Sequence, residues 1–210
     1  MNLLDGIKLK GAGVEIPDVG RRQLPRFFKD MGYKKGVEIG VQRAYFTRRF
    51  AREGLEIIGV DPWRAYSDYN AFPGYQHHQD RIYENAIENL KDFPNASLIR
   101  KTSMEAVEDF EDDSLDFVYI DGHHGFKYVT EDIFEWSKKV RKGGIISGHD
   151  YAYSRVKKNE NQPYILQVKF VVDAYTKAFK INNWWVLGRK HKEREGERRD
   201  QYRSWMWIKE

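Results

Sequence analysis

Residues 114–126, SLDFVYIDGHHGF, constrain this chain more than any other stretch. Leu115, Phe117, Val118, Tyr119 and Ile120 form an apolar run that stops at an acid, a glycine and two histidines. A short run of β-branched and aromatic residues closed by glycine predicts a buried strand rather than a helix. In an open parallel sheet, ligands bind beyond the carboxyl ends of the strands, which is where Asp121, His123 and His124 should project. The pattern recurs at residues 143–148, GGIISG, followed by His149 and Asp150. Two strands that each deliver acid and imidazole at one edge predict a reaction site, although either acid alone would serve equally well as a helix cap.

The remaining elements fall into an alternating order. Strands are predicted at 36–41, at 56–60 (ending in Asp61-Pro62-Trp63) and at 97–100. Helical spacing predicts helices at 21–31, 45–52, 81–90, 104–110, 128–140 and 164–179. Two aromatic strands, 183–187 (NWWVL) and 204–208 (SWMWI), close the chain with no helix between them, so they should form an antiparallel hairpin. The expected fold is α/β: a doubly wound, mostly parallel, seven-stranded Rossmann-like sheet with an antiparallel C-terminal hairpin. Residues 1–20 are expected to form an N-terminal arm, residues 21–210 a single domain, and the aromatic and polar loop at 64–80 a lid over the site.

Composition narrows the classes. With 40% apolar and 32% charged residues the chain reads as globular, and no apolar run approaches the length of a membrane span. The N-terminus lacks the apolar core of a signal peptide, and the absence of cysteine removes disulfides, thiolate nucleophiles and thiolate metal sites. A cytoplasmic protein is the expectation. A net charge of +4 and a pI near 9.0 permit nucleic acid or anionic substrates without requiring them. The mixed-charge stretch at 189–203 reads as a solvated hairpin loop.

The first strand ends in Glu38-Ile39-Gly40-Val41, and Gly40 would let the backbone approach a ligand closely. A G-x-G-x-x-G phosphate loop is missing, which disfavours a dinucleotide, and no Walker lysine motif exists. Asp61 lies 21 residues beyond Gly40, a spacing suited to a carboxylate that binds a ribose diol. A nucleoside without pyrophosphate at the first two strands points to S-adenosylmethionine.

Four motifs in order, VEIGV (37–41), DPW (61–63), YIDGHHGF (119–126) and GGIISGHDY (143–151), resemble the small Methyltransferase 24-like branch of the class I S-adenosylmethionine-dependent methyltransferases. Phe126 stands where that pattern has tyrosine, while Val129 and Asp132 fit its continuation. The resemblance covers residues 20 to 190 and implies the class I methyltransferase fold. It also implies that Glu38 and Gly40 face the methionine portion, Asp61 the ribose, Trp63 the lid side, Ser103 the adenine and Asp121 the sulfonium, with Val41 also in the cofactor site. Ala44 departs from the glycine often found in relatives, which should crowd the turn. The N-methylase signature Asn/Asp-Pro-Pro-Tyr/Phe is absent after the strand that ends at Ile120, which argues for oxygen as the methyl acceptor.

Methyl transfer to a hydroxyl requires removal of one proton, for which His124 and His149 are the candidates, with Asp121 beside them. Asp121, His149 and Asp150 are the expected ligands of a divalent cation. Related sugar O-methyltransferases bind magnesium between acids at equivalent strand ends, and an imidazole ligand tilts the preference towards manganese. The acceptor is expected to be a small hydroxylated molecule such as a sugar or glycosylated metabolite. The alternatives are an RNA methyltransferase and an inactive binding module that keeps the fold. No membrane partner is expected, nucleic acid is the less favoured partner, and the oligomeric state stays open.

Overall fold

A computed structural model describes residues 1–65, 75–156, 164–191, 195 and 197–210. Its main sheet has eight strands in the order β1-β9-β10-β6-β5-β2-β3-β4. In chain order these are β1 (Val14–Ile16), β2 (Lys35–Ile39), β3 (Glu56–Val60), β4 (Ala96–Ile99), β5 (Leu115–Ile120), β6 (Val140–Tyr151), β9 (Trp184–Leu187) and β10 (Arg203–Ile208). Two further strands, β7 (Ser154–Val156) and β8 (Tyr164–Leu166), form a separate antiparallel pair. The helices are α1 (Leu3–Gly6), α2 (Leu24–Asp30), α3 (Thr47–Arg52), α4 (Gln76–Leu90), α5 (Ser103–Ala106), α6 (Phe126–Lys139) and α7 (Val168–Ala178).

Strands β4, β3, β2, β5 and β6 run parallel, whereas β10 is antiparallel to both β6 and β9. The chain winds outward from β2 through β3 to β4, then crosses back to place β5 on the other side of β2. The order therefore reverses between β2 and β5, and the crevice at their carboxyl ends is where such sheets bind ligands.

Alternation along the strands divides the core in two. Val37, Val118, Ile120 and Ile146 face α6 and α7, with Ile133, Trp136 and Val172. Phe117, Tyr119 and Ile145 face α2 and α3, where Phe28 and Phe50 pack on Phe117 at ring-centroid distances of 4.6 and 5.3 Å. Such period-2 alternation between two buried faces explains why these strands read as nearly continuous apolar runs.

All seven expected strands are in the sheet. The eighth, β1, lies within the expected N-terminal arm and pairs parallel to β9, with Ile16 fully buried. Three further differences have local causes. Residues 164–166 form β8, and the last helix starts at Val168; three apolar residues are too few for a period to distinguish helix from strand. Helix α4 begins at Gln76 rather than 81, so His77 and His78 lie in its first turn. Helix α6 passes straight into β6 at Val140, and Gly143 (φ +77°) lies inside that strand beside a register shift. Most of the expected lid, residues 66–74, lies outside the described residues.

Candidate active site

The turn after β2 and the end of β3 are tied together by one carboxylate. Asp61 Oδ2 accepts the backbone N–H groups of Val41 and Gln42, both at 3.0 Å, and Oδ1 accepts that of Trp63 at 2.8 Å. The Trp63 indole donates to the Gln42 carbonyl at 2.9 Å and packs on Tyr83 with ring centroids 4.6 Å apart. Trp63 is thus a buried wall between turn and helix α4. Burial raises the Asp61 pKa despite the three backbone donors that favour its charged form.

Backbone strain collects here. Gln42, Ala44, Trp63 and Asp150 have φ of +53°, +59°, +40° and +56°, the left-handed region that costs a non-glycine residue about 1 kcal/mol or more. Gly40, at φ +87°, has no room for a side chain. A Cβ there would lie 2.2 Å from the Asp121 carbonyl oxygen and 2.7 Å from Gly122 Cα. The glycine therefore lets β2 and β5 converge at their ends, a reason separate from the ligand approach expected of it.

A cavity of about 810 Å³ opens over these turns. Its wall includes Glu38, Gly40, Val41, Asp61, Trp63, Ser103, Asp121 and His124 from the sequence-predicted set, while His149 and Asp150 lie outside its lining. Glu38 is 2% exposed and accepts a hydrogen bond from the Thr47 hydroxyl; burial pushes its carboxyl up to about 8. At the other end, Ser103 begins α5 after the Thr102–Glu105 capping box. Its hydroxyl donates to Asp132 and accepts the Trp136 indole N–H at 2.8 Å. Burial raises Asp132 to about 7.

Asp121 faces two ways. Its Oδ2 accepts the Arg21 guanidinium at 3.1 Å, and its Oδ1 lies 3.6 Å from His149 Nδ1. His149 Nδ1 is also 3.1 Å from Asp150 Oδ1, and His124 Nε2 is 2.8 Å from Asp150 Oδ2. Burial alone would lower the His149 pKa, but hydrogen bonds and charge from Asp121 and Asp150 outweigh it and raise it to about 9. Burial alone would likewise raise Asp150, yet its contacts with His124 and His149 hold it well below the usual carboxylate range.

Asp121, His124 and Asp150 each place one potential ligand atom within 4.8 Å of the others. Two carboxylates and one imidazole are a donor set suited to manganese or another transition ion, so the residues fit a divalent cation. The imidazole in this converging trio is His124. His149, the imidazole expected as the ligand, has its Nδ1 3.6 Å from Asp121 Oδ1 and 3.1 Å from Asp150 Oδ1.

The family model described as "Methyltransferase domain" matches residues 35–151, more than half of the chain. The chain belongs to this methyltransferase family. A Sinorhizobium fredii protein, y4gI, is 30% identical over 118 residues, which cover 55% of this chain and 12% of that protein. The chain thus matches only a small part of that relative. An O-methyltransferase from Bacillus cereus in complex with SAH shares the fold, with a TM-score of 0.58 at 16% identity over 90% of this chain and 80% of that one. The O-methyltransferase TomG from Streptomyces achromogenes, in complex with SAM, has a TM-score of 0.55 at 10% identity over 90% and 79%.

In this methyltransferase domain, sequence reasoning missed two residues of the site. Arg21 comes from a single 3₁₀ turn (Arg21–Gln23) and meets Asp121 across 100 positions, a pairing no local pattern announces. Thr47 reads as an ordinary helix residue, although its hydroxyl caps the buried Glu38. No described helix is long and apolar enough to cross a membrane.

Proposed function

We propose that this methyltransferase domain transfers a methyl group from S-adenosylmethionine to a hydroxyl oxygen of a small molecule, a sugar or glycosylated metabolite. The observation that carries the reading is the cavity at the β2/β5 reversal, whose wall presents Ser103, Asp61, Glu38 and Asp121 together. Ser103 and Asp132 would meet the adenine, Asp61 the ribose and Glu38 the methionine portion. Because three backbone donors fix the Asp61 carboxylate, two on Oδ2 and one on Oδ1, the acceptor site left on Oδ1 is preset for a ribose hydroxyl. S-adenosylmethionine supplies an electrophilic methyl group and leaves as a neutral thioether.

The acceptor oxygen gains the methyl group and must lose its proton. Asp121 and Asp150 raise the His149 pKa to about 9, which ill suits it to take that proton, whereas His124 lines the cavity and is placed to accept it in the absence of metal. A divalent cation held by Asp121, His124 and Asp150 would acidify and orient the hydroxyl, a task that an imidazole alone performs less completely. Small-molecule chemistry is favoured over RNA because Arg189 and Arg203, two cations of the basic hairpin, are turned onto Glu15 and Glu197.

The test is transfer of labelled methyl from S-adenosylmethionine to a panel of sugars and glycosides, with manganese, with EDTA and with RNA as a competing acceptor. Incorporation into a hydroxylated small molecule that EDTA abolishes supports the whole reading. Incorporation only into RNA would replace the acceptor, and full activity in EDTA would leave His124 as a metal-free base.

A further inference from the structure

Two helices begin beside the Asp121–His124–Asp150 trio, and neither has a side-chain cap of its own. Helix α6 starts at Phe126 after Gly125, which has no side chain to receive an N–H group, and Gln167, which precedes α7, bonds none of that helix's own N–H groups. The first N–H groups of a helix have no partner within it and must find one elsewhere. Here the two helix starts supply each other. Gln167 Oε1 accepts the Phe126 N–H at 2.8 Å, across 41 positions of chain. In return the Gln167 N–H donates to the His124 carbonyl at 2.9 Å, and the Lys169 N–H to the Ala152 carbonyl at 3.4 Å.

These bonds bracket the trio. His124 lies on the exit from β5 and Asp150 near the end of β6, and their side chains meet at 2.8 Å. The start of α7 spans both exits: one N–H holds the loop that carries His124, and another holds the segment that follows Asp150. Only Gly125 stands between the two groups that Gln167 holds, and its N–H donates to His123 Nδ1 at 2.9 Å. His123 is in turn packed on Tyr128, with ring centroids 4.0 Å apart. With the His124 carbonyl and the Phe126 N–H both on one residue, the peptide after His124 cannot turn freely, so the imidazole keeps its aim. Gln167 itself is not part of the cavity wall. It therefore acts on the site through His124 and not by touching a ligand.

We propose that Gln167 is a positioning residue: by holding the chain on both sides of Gly125, it aims the His124 imidazole at Asp150 and so sets the affinity of the trio for a divalent cation. This rests on the use of the trio under the proposed function. A glutamine suits the task because it offers a main-chain donor to one side of the loop and a side-chain acceptor, at the end of two methylenes, to the other. Groups that orient a metal-binding imidazole are typically worth about ten- to a hundredfold in metal affinity.

The test compares wild type with Gln167→Leu and Gln167→Glu. Leucine keeps the bulk and loses the acceptor, whereas glutamate keeps an acceptor oxygen at the same reach. Manganese alone is titrated into each protein and followed by paramagnetic resonance, with S-adenosylhomocysteine binding measured in parallel by calorimetry. The Leu variant should bind manganese about ten- to a hundredfold more weakly and the Glu variant close to wild type. S-adenosylhomocysteine affinity should be the same in all three, and the ring-nitrogen resonances of His124 should shift in the Leu variant alone. If the Leu variant fails to fold, Gln167→Asn, too short to reach the Phe126 N–H, takes its place. Unchanged manganese affinity in the folded Leu variant would reduce Gln167 to a helix cap and overturn the proposal. Equal losses with leucine and glutamate, or a parallel loss of S-adenosylhomocysteine binding, would overturn it as well. If wild type binds no manganese, the metal part of the proposed function falls, and the His124 resonances decide: a shift with leucine that glutamate prevents upholds the aiming role, and no shift overturns it.

Discussion

Replacement of Gly40 by alanine separates two reasons for a glycine at the end of β2. If the residue only lets a ligand approach, Gly40→Ala should lose binding and leave the empty protein intact. The structure predicts otherwise. An alanine at φ +87° carries a left-handed penalty of about 1–2 kcal/mol. Its Cβ would also stand 2.2 Å from the Asp121 carbonyl oxygen and 2.6 Å from the Asp121 carbonyl carbon. Backbone at that distance cannot rotate away as a flexible side chain would. The strand ends must part by about 1 Å to reach van der Waals contact. That movement strains the 2.8 Å bond from Asp121 N–H to the Ile39 carbonyl, and losing it costs about another 1 kcal/mol. The total is about 2–3 kcal/mol, at the upper end of the usual range for a single substitution. Urea unfolding of the ligand-free protein should show a clearly lower midpoint with an unchanged slope. An unfolding free energy within about 1 kcal/mol of wild type, with ligand binding abolished, would refute the strand contact.

Other expectations follow from the same turns and acids. Ala44→Gly relieves a φ of +59°, but it also gives up a buried methyl group and frees the unfolded chain, so stability should change by less than about 1 kcal/mol and Tm in calorimetry by less than about 2–4 °C. Glu38 and Asp132 hold their protons to about pH 8 and 7 when folded but lose them near pH 4 when unfolded, so the folded state binds more protons between those limits. Stability should therefore fall as pH rises from 5 towards 7, with a slope approaching about 1.4 kcal/mol per pH unit for each group, and Glu38→Gln should flatten it in urea titrations. Asp150→Asn removes one oxygen of the Asp121–His124–Asp150 trio. Manganese should restore activity to chelated wild type but not to this variant, and paramagnetic resonance should find the ion unbound in the variant alone.

The central sheet was legible because its strands are buried on both faces and end in glycine or acid. Residues 115–120 and 56–60 form strands over the span their apolar runs suggest. The edges were less legible. Strand β1 has three residues and acquires its identity only from pairing with β9, and β8 is equally short. At the site, the acids at the strand ends could be named from position, because ligands gather there in any sheet of this winding. What sequence could not supply was orientation: which imidazole converges with both acids, or that Arg21 would arrive beside Asp121. Those facts depend on turns whose left-handed residues, Gln42, Ala44, Trp63 and Asp150, are held by tertiary contacts against their own preference.

The most direct test of the account is calorimetric titration of S-adenosylhomocysteine into wild type and Asp61→Ala, beside NADH as the competing nucleotide. Asp61 should contribute to binding through its ribose contacts and to the turn through Val41, Gln42 and Trp63. Wild type should show one binding site, the variant an affinity weakened by at least about 1–3 kcal/mol, and NADH no binding. NADH binding without S-adenosylhomocysteine binding, or full affinity in Asp61→Ala, would contradict the account.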